Sequence, residues 1–409
     1  MTSLDITRIR KDFPQLDGVE YHYLDSSATS LTPRAVLDAE IEYYTNDRAS
    51  VHRGIFAEAV RATDRYEEAR KKVAQFIHAP SQDEIIFTSG ATESSNMVAR
   101  MLEGYFRFEE EEKEIVTTEM EHHGSLIPLQ ELAERASFFL KHIPLRDFGL
   151  DYDTAKTLIT DKTALVSVML ASNVTGTVND VRRIADIAHK HGAIMIVDAT
   201  AAVGHVPVDI EAFDCDVLYF SGHKMFAPMG IGVLWVRRSL LEKLKPVSFG
   251  GHMIAHMEKG RAEWAPIPER FEAGTKNIAG VIGLGIAIDY LDKLGVATIH
   301  EYVQSLTAYA IAKLEEIPGV TVLAEHDVSK NIGIVSFVCE WAHPHDVAEV
   351  LGRERVAVRS GHHCAIPHLS ALGVSATTRA SFHVYNTRED VDVLILGVEK
   401  ARKIFTDNK

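Results

Sequence analysis

Apolar and polar positions follow two rhythms along this chain. Between residues 55 and 77, apolar residues return at three- and four-residue steps through Val60, Tyr66, Ala69, Val73 and Phe76. That spacing predicts a helix with one buried face. A short strand is predicted at 84–88. Ser89-Gly90-Ala91-Thr92-Glu93 then opens a second helix running to residue 102. Further strands are predicted at 114–117, 138–142, 164–170, 217–220 and 232–236, and a helix at 181–190 stops at Gly192. Ala193-Ile194-Met195-Ile196-Val197 is apolar on both parities, as in a strand covered on both faces. Strand, helix and strand repeated in this way predict an α/β fold with a mostly parallel sheet covered by helices.

Beyond residue 295 the rhythm changes. A long helix is predicted at 299–317, short strands at 320–323, 332–338 and 356–358, and helices at 344–351 and 388–404. The expectation is a large domain over 21–295 and a smaller α+β domain over 296–409, with residues 1–20 packed on the smaller one. A chain of 409 residues, 46% of them hydrophobic, has the material for two cores. It contains no apolar run of about 18 residues, so no membrane span is expected. Residues 1–10 lack the apolar core of a secretory signal. A formal net charge of −15 argues against general nucleic-acid binding. The acidic run over residues 109–114 reads as a solvated helix end or loop. Cys215, Cys339 and Cys364 are too few and too scattered for a disulfide framework or a zinc cage. They fit a reducing, cytoplasmic setting.

Three features carry chemistry. Asp198 ends an apolar run, where α/β sheets gather ligands. Lys224 follows a second apolar strand in the turn Ser221-Gly222-His223-Lys224. Burial and cationic neighbours there would free its amine of a proton, as a Schiff-base lysine requires. Ser89-Gly90-Ala91-Thr92-Glu93 starts a helix whose free N–H groups could cup a phosphate. Taken singly, each has an ordinary structural reading: a loop-capping carboxylate, a solvated lysine, an N-cap. Together they suit pyridoxal phosphate, which needs a lysine for its aldehyde, an acid for its ring nitrogen and a cradle for its phosphate.

With these residues in place, the sequence resembles the class V aminotransferase family, and within it the group II cysteine desulfurase and selenocysteine lyase branch. The motifs run in order over nearly the whole chain: Leu24-Asp25-Ser26-Ser27-Ala28-Thr29, Val51-His52-Arg53-Gly54, Gly90-Ala91-Thr92-Glu93, Glu121-His122-His123, Ser172-Asn173-Val174-Thr175-Gly176, Ser221-Gly222-His223-Lys224, Phe271-Glu272-Ala273-Gly274-Thr275 and Arg359-Ser360-Gly361-His362-His363-Cys364.

The resemblance implies the fold type I architecture of pyridoxal-phosphate transferases, with a seven-stranded-type sheet. It implies Lys224 as the cofactor-bearing residue, Asp198 against the ring nitrogen and His123 stacked on the ring. Ala91, Thr92, Ser221 and His223 would line the phosphate, and Asn173 would sit by cofactor and substrate. Thr275 would reach the phosphate of a second subunit, making a homodimer. Arg379 would grip the substrate carboxylate, with Arg359 near it, through a fork that matches two oxygens. Cys364 would receive sulfur from L-cysteine, leaving alanine and a persulfide. That sulfur would pass to an acceptor protein for iron–sulfur cluster or cofactor assembly. Arg359 and the neighbouring histidines would favour the reactive thiolate, while Cys215 and Cys339 read as core. Two positions depart from the family pattern: Ala201 stands where a glutamine is usual, and Phe56 where a histidine is usual.

Rival readings keep the cofactor but change the reaction, to selenocysteine lyase or to a class V epimerase, lyase or aminotransferase. A non-catalytic partner protein is disfavoured because Lys224 and Asp198 are both present. A metal site is not expected. His122-His123 and His362-His363 are adjacent pairs without the i, i+4 spacing of a helical zinc site.

Overall fold

The computed structural model describes residues 4–107 and 112–407. Seven strands build the central sheet: β1 (Ile85–Thr88), β2 (Glu114–Thr118), β3 (Phe139–Ile143), β4 (Thr163–Met169), β5 (Ile194–Asp198), β6 (Val217–Ser221) and β7 (Gly232–Val236). Across the sheet they run β1-β7-β6-β5-β4-β2-β3. β7 is antiparallel to both neighbours and every other pairing is parallel.

Alternate side chains of the central strands enter two separate apolar clusters. Val166, Val168, Met195, Val197, Leu218 and Phe220 join one, and Leu165, Ile196, Val217 and Tyr219 join the other. Period-two alternation on a strand sends neighbours to opposite faces, and here both faces are dry. This is why these strands carry almost no polar residues.

A second, antiparallel sheet follows: β8 (Val320–Val322), β9 (Ile334–Cys339), β10 (Arg359–Gly361) and β11 (Thr377–Ser381), in the order β8-β9-β11-β10. Helices Val296–Glu315 and Pro344–Arg353 pack on it, and Arg388–Thr406 packs on those two helices. The N-terminal segment docks on this part. Arg10 Nη1 donates to the Tyr385 carbonyl at 2.8 Å and pairs with Asp390 at 3.0 Å. Docking extends beyond residue 20. His22–Tyr23 pairs in parallel with Val356–Ala357, and the Ser381 N–H donates to the Leu24 carbonyl at 2.8 Å. The strand expected at 356–358 therefore serves the N-terminal segment and not the four-stranded sheet.

Helix Ile278–Leu294 is absent from the sequence-based expectation. Its first three turns, through Ile288, are apolar on every side, and it packs against both Arg34–Asn46 and Ala57–Phe76. A helix without a polar face has no 3.6-residue contrast to detect. Strand β11 was also not expected: Thr377-Thr378-Arg379-Ala380-Ser381 is fully buried although most of it is polar. Two further expectations need correction. Cys215 is buried in the core as expected, but Cys339 ends β9 and is only half-buried. Of the acidic run, residues 109–111 lie outside the described residues. Glu114 opens β2, is buried and pairs with Lys141 at 2.6 Å. No helix among the described residues is long and apolar enough to cross a membrane.

One buried ion pair ties the helical layer to the sheet. Arg70 donates to both Glu272 oxygens at 2.9 and 3.0 Å, and Glu272 also accepts from the Phe87 N–H at 2.7 Å and the Tyr66 hydroxyl at 3.2 Å. Removing one partner of a buried pair leaves an uncompensated charge. Glu272→Ala is expected to lower stability by about 3–5 kcal/mol, read as a shift of the urea unfolding midpoint.

Candidate active site

The site forms where the carboxyl ends of parallel strands meet a helix start. Asp198 is the last residue of β5 and Ser221 the last of β6. The single turn Gly222–Lys224 carries the chain on from β6, and helix Ala91–Phe106 begins just after β1. The antiparallel strand β7 lies between β1 and β6, with Gly232 opposite both Thr88 and Ser221. A Cβ at Gly232 would stand 2.4 Å from the Gly90 Cα. Only glycine lets the helix start come this close to the sheet. Gly90 itself has a φ of +153°, outside the comfortable range of other residues.

At that helix start the Ala91 N–H donates to Ser221 Oγ at 2.8 Å. The N–H groups of Thr92 and Glu93 have no carbonyl a turn behind them, as at any helix beginning. Free N–H groups at a helix start can receive an anion, and the Thr92, Ser221 and His223 side chains line the cavity beside them.

A cavity of about 570 Å³ joins these parts. Ala91, Thr92, Asn173, Asp198, Ser221, His223, Lys224, Arg359, Cys364 and Arg379 all line it. The structure thus gathers residues separated by almost 290 positions (from Ala91 to Arg379) into one volume. Ala201 lines it too, and Phe56 lies exposed at the surface. Thr275 does not line this cavity. It faces a separate hollow of about 230 Å³ with His52, His252 and Glu272.

One expectation is corrected. His122, not His123, lines the cavity. His122 is the extended N-cap of helix His123–Ala136, and its Nδ1 accepts from the Gly124 N–H at 2.9 Å. His123 is already in the helix, so its ring leaves in another direction. Its backbone N–H donates to the Cys364 carbonyl at 2.7 Å, and its Nε2 accepts from the Ile366 N–H at 3.2 Å.

Electrostatics separate the charges in the cavity. Burial, then the nearby Arg379 charge, pulls the Lys224 amine down to about 8. Among the described residues it has no hydrogen bond or ion pair. Burial raises the Asp198 carboxyl above the usual carboxylate range, against the Thr200 N–H that donates to it at 2.8 Å. Burial and then Lys224 hold both His122 and His223 down at about 4, so both rings are neutral near pH 7. Behind Asp198, Glu121 is fully buried. Burial and then the Asp198 charge push it up to about 8.

Arg379 is fully buried on β11 and donates to the Asn173 carbonyl at 2.7 Å. Arg359 sits opposite it on β10. Asp25 lies between them, taking Arg359 Nη2 at 2.8 Å and Arg379 Nη2 at 3.4 Å. Asp25, Glu121 and His122 are site residues to which the sequence reading assigned no role. Their only signal was their place inside quoted motifs.

Cys364 is exposed, in a turn held from several sides. His363 and Cys364 adopt φ of +51° and +54°, sparsely populated for non-glycine residues. Asn173 Nδ2 donates to the His363 carbonyl at 2.8 Å, and the His363 ring meets Thr377 Oγ1 at 2.7 Å. The turn therefore presents its thiol from a defined backbone.

The cavity suits the cofactor that the sequence implied. Asn173 Oδ1, Thr200 Oγ1 and Arg379 Nε are buried without a hydrogen-bond partner. Such groups are costly unless a ligand or water meets them. A free amine, a buried carboxyl and an anion cup surround the same volume.

The Lys224 amine loses its proton near pH 8, so its neutral, nucleophilic fraction should grow through that range. In cofactor-free protein, the rate of pyridoxal phosphate capture, followed by absorbance, should be half-maximal near pH 8. Asp198 favours the charged amine and Arg379 opposes it. Asp198→Asn should therefore move the midpoint lower, and Arg379→Gln should move it higher.

The aminotransferase class-V model matches residues 22–394. The chain is similar to a probable cysteine desulfurase of Halalkalibacterium halodurans, 46% identical over 403 residues, which are 97% of this chain and 98% of that protein. One from Streptomyces coelicolor is 46% identical over 411 residues, covering 98% of each. Among solved structures, the apo cysteine desulfurase of Thermococcus onnurineus superposes with a TM-score of 0.94 at 40% identity, over 98% of this chain and all of that one. The cysteine desulfurase CsdA of Escherichia coli gives 0.92 at 35% identity, over 99% and 100%. Match, fold and cavity agree: the chain belongs to the class-V aminotransferase family.

Proposed function

We propose that this protein is a pyridoxal-phosphate-dependent cysteine desulfurase that moves sulfur from L-cysteine to Cys364 and releases alanine. The observation that carries this reading is an exposed cysteine on the same cavity as a partnerless, half-buried lysine and a buried aspartate. Relatives named as cysteine desulfurases over nearly their full length support it. Bound pyridoxal phosphate supplies an electron sink for the substrate α-carbon.

The chain's own residues divide the remaining work. Lys224 Nζ holds the aldehyde and, once free, moves the proton at the substrate α-carbon. Asp198 would meet the ring nitrogen, and His122, which lines the cavity, would take the ring-face role expected of His123. The first-turn N–H groups with Thr92, Ser221 and His223 receive the phosphate. Arg379, positioned by Asp25 and the Asn173 carbonyl, receives the substrate carboxylate. Cys364 Sγ forms the new S–S bond as the substrate Cβ–S bond breaks. A proton returned to carbon then completes alanine.

The larger unit, 21–295, carries the cofactor, and the smaller one, 296–409, carries Arg379 and Cys364. The contents of the two sheets support this division. A homodimer is part of the proposal, with Thr275 turned toward a second copy's phosphate. In support, Thr275 lines a hollow of its own. Sulfur leaves Cys364 for an acceptor protein, which the exposure of that side chain favours.

Cys364→Ala should keep the cofactor absorbance and lose sulfide and alanine production from cysteine by at least on the order of a hundredfold, the scale of losing a reacting group. Wild-type turnover by this variant would sink the assignment. Lys224→Ala should lose the lysine-linked absorbance as well as turnover.

A further inference from the structure

His122-His123 and His362-His363 offer no metal spacing along the chain, yet the fold brings one member of each pair to Cys364. His123 opens helix His123–Ala136, and His362 and Cys364 follow strand β10. One ligand atom from each of His123, His362 and Cys364 falls within 4.8 Å of the other two. The two imidazole rings lie with centroids 5.8 Å apart and planes tilted by 31°. Among the described residues no other group of three histidine, cysteine or acidic donors converges in this way. The donors come from two distant elements, so spacing along the chain could not bring this grouping to light.

We propose that His123, His362 and Cys364 form a reversible site for a thiophilic divalent cation of the zinc class, and that its occupancy masks the Cys364 thiol. Two imidazole nitrogens and one sulfur are a zinc-type donor set. Three protein ligands leave a fourth tetrahedral position. His362 and Cys364 are exposed, so that position opens to solvent. Binding forms a metal–sulfur bond and passes the thiol proton to solvent. The cation brings no electrons and removes none.

The hydrogen bonds explain why such a site would be regulatory and not structural. A ligating histidine usually donates its other N–H to a carbonyl or carboxylate, which fixes the ring for the metal. Here each ring accepts instead. The Cys364 N–H donates to His362 Nδ1 at 3.0 Å, and the Ile366 N–H donates to His123 Nε2 at 3.2 Å. A cation must displace these donors or force the other tautomer. That cost lowers affinity and keeps the site reversible. The site stands on its own geometry, whether or not the chain desulfurates cysteine.

The test is a zinc titration of tag-free, cofactor-loaded protein in competition with a chromophoric chelator. Wild type should bind one zinc per chain. Cys364→Ser and His362→Asn should each lower the affinity by at least about tenfold, with unchanged circular dichroism and cofactor absorbance. Cobalt in place of zinc should add a sulfur-to-metal band to the wild-type difference spectrum, and Cys364→Ser should lack it. Wild-type zinc affinity in either variant, or no stoichiometric zinc on wild type, overturns the site.

Discussion

The structure turns on drawing an amine and a carboxyl partly away from water without joining them. Lys224 and Asp198 sit at the ends of neighbouring strands, both lining one cavity, and no ion pair connects them. Desolvation disfavours each charged form, so the lysine is lowered to about 8 and the aspartate is raised. A direct salt bridge would have relieved both groups and closed the space between them. Their separation leaves room for a ligand whose chemistry satisfies each.

The scaffold around that space follows from the need for close approach at the strand ends. The parallel strands β5 and β6 deliver Asp198 and Ser221 side by side. The reversed strand β7 then brings the helix start at Ala91 against Ser221, through the contact of Gly232 with Gly90. A side chain at position 232 would push the anion cup away from the lysine. The helix start and the end of β6 are thus held at a spacing set by backbone, which cannot yield as a rotamer can.

The second sheet meets the first through a cluster of like charges. Arg359 and Arg379 are direct cross-strand neighbours, an arrangement that repels. Asp25, from the N-terminal segment, sits between them and accepts from both. Burial still pulls the Arg379 guanidinium down, to about 10. A carboxylate from a substrate would therefore enter a place already short of negative charge. The N-terminal residues dock on this sheet with that consequence: Asp25 offsets the repulsion between the two arginines.

Much of this was legible along the chain. Helices Ala57–Phe76 and Val181–Lys190 declare themselves by a buried stripe, and β5 and β6 by runs apolar on both parities. Local burial imposes those periods, so each segment carries its own signal. Asp198 and Lys224 stood out only in combination with the helix start at Ala91, since each alone has an ordinary structural reading, and the role of Cys364 came from the family resemblance. Most of helix Ile278–Leu294 gave no contrast, being apolar on every side through Ile288, and β11 hid a buried strand behind threonines and an arginine. Tertiary structure alone decided which of His122 and His123 faces the cavity, that Asp25 joins Arg359 to Arg379, and that His123 and His362 converge on Cys364. These depend on the direction of a side chain at a helix start and on contacts between residues more than 200 positions apart. Neither quantity leaves a period in the sequence. What the sequence determined by itself were the elements and the reactive residue types; their distances, their loss of water and their partners came only with folding, because desolvation and through-space charge are properties of the assembled neighbourhood.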